Sequence, residues 1–160
     1  MITIDFLDNV QIFQGLNREQ LAEIVKYCEE AEYQAGTRIF EQGEDARYLW
    51  IVEKGRVDLR FEVSAGDSAA EATISCISER GAFGWSSFTT PHQYRLSGYC
   101  TSQGCKLIKV SREGLRRLFE KNSDIGYAVM CNVAGVVGTR FHEFQEEAAR
   151  RRGEDLLGGW

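Results

Sequence analysis

A mainly β domain closed at both ends by helices is the fold this sequence predicts, and three observations predict it. Glycines recur at positions 36, 43, 55, 66, 81, 84, 98 and 104, with short apolar or alternating runs between them. Such spacing marks short strands separated by turns. Helical periodicity is confined to the two ends of the chain, before Tyr33 and after Ser111. With no helices between the strands, a sandwich, jelly roll or small barrel is favoured over a parallel α/β sheet. At 160 residues and 43% hydrophobic, the chain should form one domain over 1–160 that buries its own core without metal or disulfide staples.

Taken in order, the segment from Met1 to Val10 carries Asp5 and Asp8 and no basic stretch before an apolar run, and no run of 18 apolar residues occurs. A cytoplasmic location with no membrane partner is expected. The N-terminal helix starts at Asn17-Arg-Glu-Gln20, a capping residue followed three positions later by Gln, with Leu16 and Leu21 as a hydrophobic staple. Leu21, Ile24, Val25 and Cys28 give its apolar face, and the glutamates after Cys28 its wet end. Candidate strands follow over 37–40, 47–53, 56–63, 70–78, 94–101 and 105–111. In the clearest, Val57, Leu59, Phe61 and Val63 alternate with Arg56, Asp58, Arg60 and Glu62, which predicts one buried and one wet face. The small, polar segment 64–70 reads as a mobile hairpin tip.

After Ser111 the period returns to that of a helix. Ser111 caps a short helix over about 112–121, and a long one follows over about 124–151. On the long helix Met130, Ala134, Val137, Phe141, Phe144 and Ala148 keep the 4-3-4-3-4 spacing of a coiled-coil seam, beside the small Cys131, Gly135 and Gly138. Met130, Ala134, Val137, Phe141 and Phe144 are the expected seam of a homodimer. Residues 156–160 read as a frayed tail.

Composition narrows the function. A net charge of −5 argues against a nucleic-acid partner, because phosphate contacts need clustered Lys and Arg. Arg150, Arg151 and Arg152 follow Glu143, Glu146 and Glu147 and read as a solvated helix end. Five cysteines with no C-x-x-C pair point to reduced, mostly buried thiols, and with only two histidines no metal site is expected. No nucleophile–base pair or carboxylate pair stands out, so an enzyme is not expected.

The stretch from Gly81 to Arg95 carries two glycines, a run of hydroxyl residues, the chain's one proline and an arginine. It reads as an anion cradle: glycines let successive amides turn toward one point, a short helical turn at Ser86-Ser87-Phe88 adds its dipole, and Arg95 adds a charge.

Gly36-x-x-Ile39-Phe40-x-Gln42-Gly43-Glu44-Asp45-Ala46, then Leu49-x-Ile51-Val52-x-x-Gly55-x-Val57-x-Leu59, resembles the cyclic-nucleotide-binding domain family of the catabolite activator and the regulatory subunits of cyclic-AMP-dependent kinase. The likeness continues through Gly81-x-Phe83-Gly84, Arg95, Leu107-Ile108 and the C-terminal helices, over about residues 10 to 145. It implies an eight-stranded β-roll, here about 33–111, with an N-terminal helix and two C-terminal helices. It also implies a phosphate-binding cassette whose glycine falls on Gly84 and whose arginine falls on Arg95. The cassette's ribose-binding glutamate falls on Trp85, an indole that can only donate where a carboxylate accepts. Ser97 and Gly98 stand where the family has small residues after the arginine. The helical position that reaches over the nucleobase falls near Thr139 and Arg140.

The chain ends before a helix-turn-helix could follow, so a stand-alone domain is expected. The implied function is a non-enzymatic sensor in which Gly84, Trp85, Ser86, Ser87, Arg95, Ser97, Thr139 and Arg140 meet a cyclic nucleotide or another small anion, while the last helix signals to a protein partner. The alternative is a ligand-free dimeric interaction module whose pocket is filled by Trp85.

Overall fold

In the computed structural model, which describes residues 1–65, 68–101 and 103–157, two four-stranded antiparallel sheets form a roll flanked by helices. The strands are β1 (Cys28–Tyr33), β2 (Arg38–Phe40), β3 (Tyr48–Lys54), β4 (Val57–Ala65), β5 (Ser68–Ile77), β6 (Ala82–Phe83), β7 (Ser97–Cys100) and β8 (Cys105–Ser111). One sheet runs β1-β8-β3-β6 and the other β2-β7-β4-β5. The helices are α1 (Ile4–Asp8), α2 (Arg18–Val25), α3 (Arg112–Lys121) and α4 (Ser123–Leu157). No helix among the described residues is long and apolar enough to cross a membrane.

The local signals act where the chain places them. Asn17 and Gln20 close a reciprocal capping box at 2.9 Å each way, and the Ser111 hydroxyl accepts from the Gly114 amide at 3.2 Å. On β3, alternation sends Leu49 and Ile51 outward to a core shared with Ile12, Phe13, Leu21, Ile24, Leu115, Ile125 and Val129. The same alternation sends Trp50 and Val52 inward to a second core with Phe40, Leu59, Phe83, Tyr94 and Leu107. A strand buried on both faces therefore reads as a continuous apolar run.

Several expectations are corrected. The glutamates after Cys28 do not end a helix: Cys28–Tyr33 is β1, paired with β8 from Cys28↔Val110 to Tyr33↔Cys105. That pairing overrides the helical pattern, and Glu29 meets Lys109 at 2.9 Å across it. Ahead of α2 the chain forms α1, capped by Thr3, and a 3-10 turn at Gln11–Phe13. Phe61 and Val63 are 44% and 46% exposed rather than buried. β4 shifts register between Leu59 and Arg60, and its pairing with β7 ends at Arg60, so only β5 flanks the outer half.

Cys100 and Cys105 form a disulfide, Cα atoms 5.8 Å apart, where reduced thiols are expected. β7 ends at Cys100 and β8 begins at Cys105, which brings the two cysteines together. Cys76 and Cys131 are exposed, not buried. The last helix continues through Leu157, past the expected end. The centre of the expected hairpin tip, residues 66 and 67, and the end of the tail, residues 158–160, lie outside the described residues.

Candidate functional site

The cradle is built on Gly84, whose φ of 80° lies in the left-handed region. A Cβ there would stand 3.0 Å from Trp50 Cδ1, 3.2 Å from the Tyr48 oxygen and 3.3 Å from Tyr94 Cε1. Both backbone freedom and close approach therefore require glycine. The chain then makes one 3-10 turn, Trp85–Phe88. Its first amides have no acceptor inside the turn. Gly84, Trp85, Ser86, Tyr94, Arg95 and Leu96 line a void of about 130 Å³. Arg95 is exposed at this void and makes no ion pair with a described residue.

Behind the void the interior of the roll is filled. Phe40 and Tyr94 stack with centroids 3.8 Å apart, and Trp50 and Phe83 stack at 6.3 Å. Trp50 Nε1 donates to the Tyr94 hydroxyl at 2.9 Å, which donates to the Tyr48 carbonyl at 2.8 Å. Gly98 makes the stack possible: a Cβ there would meet the Phe40 ring at 3.0 Å.

The profile of the cyclic nucleotide-binding domain matches residues 30–122. The chain belongs to the cyclic nucleotide-binding domain family. A cGMP-dependent protein kinase, isozyme 2, of Drosophila melanogaster is 28% identical over 122 residues, which cover 76% of this chain and 13% of that kinase. This chain thus spans a small part of the curated relatives it matches. A Geobacter metallireducens crystal structure assigned as a cyclic nucleotide-binding protein aligns with a TM-score of 0.75 at 28% identity, covering 89% of this chain and 100% of that one. The regulatory domain of Toxoplasma gondii PKA with cAMP shares the fold, with a TM-score of 0.69 at 18% identity, over 84% of this chain and 48% of that one.

Within this cyclic nucleotide-binding domain the expected site residues separate into three groups. Gly84, Trp85, Ser86 and Arg95 share the void. Arg140 reaches in from α4: its guanidinium lies 4.4 Å over the Trp85 ring, and Nη2 donates to the Ala82 carbonyl at 3.0 Å. Burial pushes the Arg140 guanidinium down to about 10, with Glu143 partly opposing the shift. Its Nη1 is buried without a hydrogen-bond partner among the described residues.

The third group lies apart from the void. Ser87 is 1% exposed and lines a different cavity. Thr139 is exposed, its hydroxyl donating to its own helix at Gly135 O, 3.0 Å away. Ser97 is buried and committed: it accepts from the Gln42 amide at 2.8 Å and donates to Glu62 Oε2 at 3.0 Å.

Glu62 is the residue sequence reasoning missed. Tyr99 donates to Glu62 Oε1 at 2.5 Å and so holds that carboxylate below its usual range, with help from Ser97, Arg38 and Arg60. The domain thus supplies an anion of its own to the Ser97 hydroxyl. The one signal was Glu62's place on the polar face of an alternating strand, where a glutamate is ordinary. Among the described residues no group of three His, Cys, Asp or Glu could hold a metal ion.

Proposed function

We propose that this domain is a non-catalytic regulatory module in which a small anion meets Arg95 and the amides of Gly84 to Ser86, and α4 relays that event to a protein partner. The observation that carries the reading is the Arg140–Trp85 stack, which joins the cassette turn directly to the last helix. An anion at Arg95 lies beside that stack, so its charge and the turn's position bear on the helix. Met130, Ala134, Val137, Phe141 and Phe144 are all exposed on α4, which supports a homodimer through that seam. Cytoplasmic placement and the absence of a nucleic-acid partner belong to the same reading.

A void of about 130 Å³ falls below the roughly 300 to 1,000 Å³ typical of small-molecule sites. It suits a phosphate-sized head, whereas a whole cyclic nucleotide requires the Trp85–Arg140 pair to swing aside. The same volume, with the aromatic filling behind it, favours the second reading, a ligand-free dimeric interaction module.

Tryptophan fluorescence on titration with inorganic phosphate and cyclic AMP separates the two. The sensor reading expects a saturable change that Arg95→Ala abolishes. Trp85→Glu, which restores an acceptor for the ribose, should raise cyclic AMP affinity by about 5- to 150-fold, equivalent to about 1 to 3 kcal/mol. A full response in Arg95→Ala places the ligand elsewhere, and silence toward both probes leaves the interaction module.

A further inference from the structure

A second cavity, of about 660 Å³, opens between the turn Trp85–Phe88, the loop at His92 and α3, and it shares no lining residue with the void at Arg95. Its walls are aromatic and soft. Phe88 and Phe119 face each other at 6.2 Å with ring planes 22° apart, and Met130 reaches in from α4. The charges at its rim are already matched: Arg112 pairs with Asp45 at 3.0 Å, and Arg116 pairs with both Glu113 and Glu120.

Two polar side chains lining it, Ser87 and His92, keep hydrogen-bonding capacity. The Ser87 hydroxyl is buried and makes no hydrogen bond to a described residue. Burying a hydroxyl without a partner costs stability. His92 sits at φ 59°, a left-handed conformation that side-chain-bearing residues rarely hold, and turns Nδ1 to the Ser87 carbonyl at 3.1 Å. A carbonyl only accepts, so Nδ1–H donates to it, and in that tautomer Nε2 carries the lone pair.

We propose that this cavity is a second ligand site, for a neutral aromatic molecule that carries an N–H or O–H donor. The ring lies against Phe88, Phe119 and Met130, gaining ring–ring and sulfur–ring contact. Its donor lies between His92 Nε2 and the Ser87 hydroxyl oxygen, both of which can accept from it. The ligand is neutral because the rim carries no uncompensated charge for an ion to answer. The volume lies within the usual range for small-molecule sites. A ligand here spans the cassette turn and α3, independently of any anion at Arg95.

Indole is the probe, followed by proton–nitrogen correlation spectra of the full chain, with toluene as the ring without a donor and benzoate as the charged ring. Saturable shifts are expected around Ser87 to His92 and Glu113 to Glu120, with indole binding about tenfold tighter than either comparison compound. Ser87→Ala removes an unpaired hydroxyl and His92→Gly suits a left-handed backbone, so both should fold at least as stably as the parent. Each should weaken indole about 3- to 10-fold. Arg95→Ala should leave indole binding unchanged, which separates this site from the cassette. Failure of indole to saturate, equal binding of the three probes, or unchanged indole affinity in both variants overturns the proposal.

Discussion

Along its first four turns α4 packs on α3 and the 3-10 turn Gln11–Phe13, burying Ile125, Val129, Val133 and Val136 in the core shared with α2, β3 and β8. Past Val136 the same helix presents Phe141 and Phe144 at 59% and 56% exposure. Both stretches are apolar, and both keep helical spacing, yet one is a wall of the core and the other is not. The roll packs directly on the first, whereas Val137, Phe141 and Phe144 of the second line an open cavity with Leu59, Ile74 and Leu96. Asn132 marks the anchored half, its side-chain amide donating to the carbonyls of Ile12 and Gln14. Arg140 is the point beyond that half where the helix touches the cassette again. Helical periodicity thus says that a face is apolar, and only the surroundings say what covers it.

The contrast is broken most forcefully in the anchored half. Ile125→Ala removes a fully buried side chain and should cost about 2 to 5 kcal/mol, read as a lowered urea midpoint with an unchanged slope. A loss under about 1 kcal/mol would show that this half is not core.

In the exposed half the same kind of change should act on assembly instead. The proposed dimer has about twice the 18.1 kDa of the chain, measured by light scattering. Phe141→Glu places a charge in the seam and should yield monomers with an unchanged far-UV spectrum. A wild-type monomer at tens of micromolar protein removes the dimer from the proposal.

The smallest effect belongs to the surface ion pairs at the far end. Hydrogen bonds from Arg150 and Arg151 hold the Glu147 carboxylate below the ordinary glutamate range. A carboxylate depressed in the folded state contributes stability above its unfolded value and loses it as pH falls through the folded one. Helicity of the distal half should therefore decline slightly below about pH 4.5, and Glu147→Gln should flatten that part of the curve. Circular dichroism against pH checks this; an equal decline in the variant would assign the effect to other carboxylates.

Much of the domain was legible in residues that act on near neighbours. Asn17 with Gln20, and Ser111, start helices through hydrogen bonds three residues long. Gly84 is needed for a local backbone angle, and β3 reads as buried because its own residues are apolar. The family resemblance, carried by glycines and apolar positions at fixed spacing, rests on the same short-range requirements.

What the tertiary structure alone decided depends on partners distant in the chain. Cys28 to Tyr33 became a strand because β8 needed an edge. Ser97 gave its hydroxyl to Glu62, thirty-five positions away in sequence, rather than to a cradle. Ser87 turned to a cavity shared with α3, and Arg140 came from α4 to cover Trp85. Caps, turns and periodicity express energies between residues a few positions apart. Burial and polar pairing are settled only when the folded chain brings remote groups together.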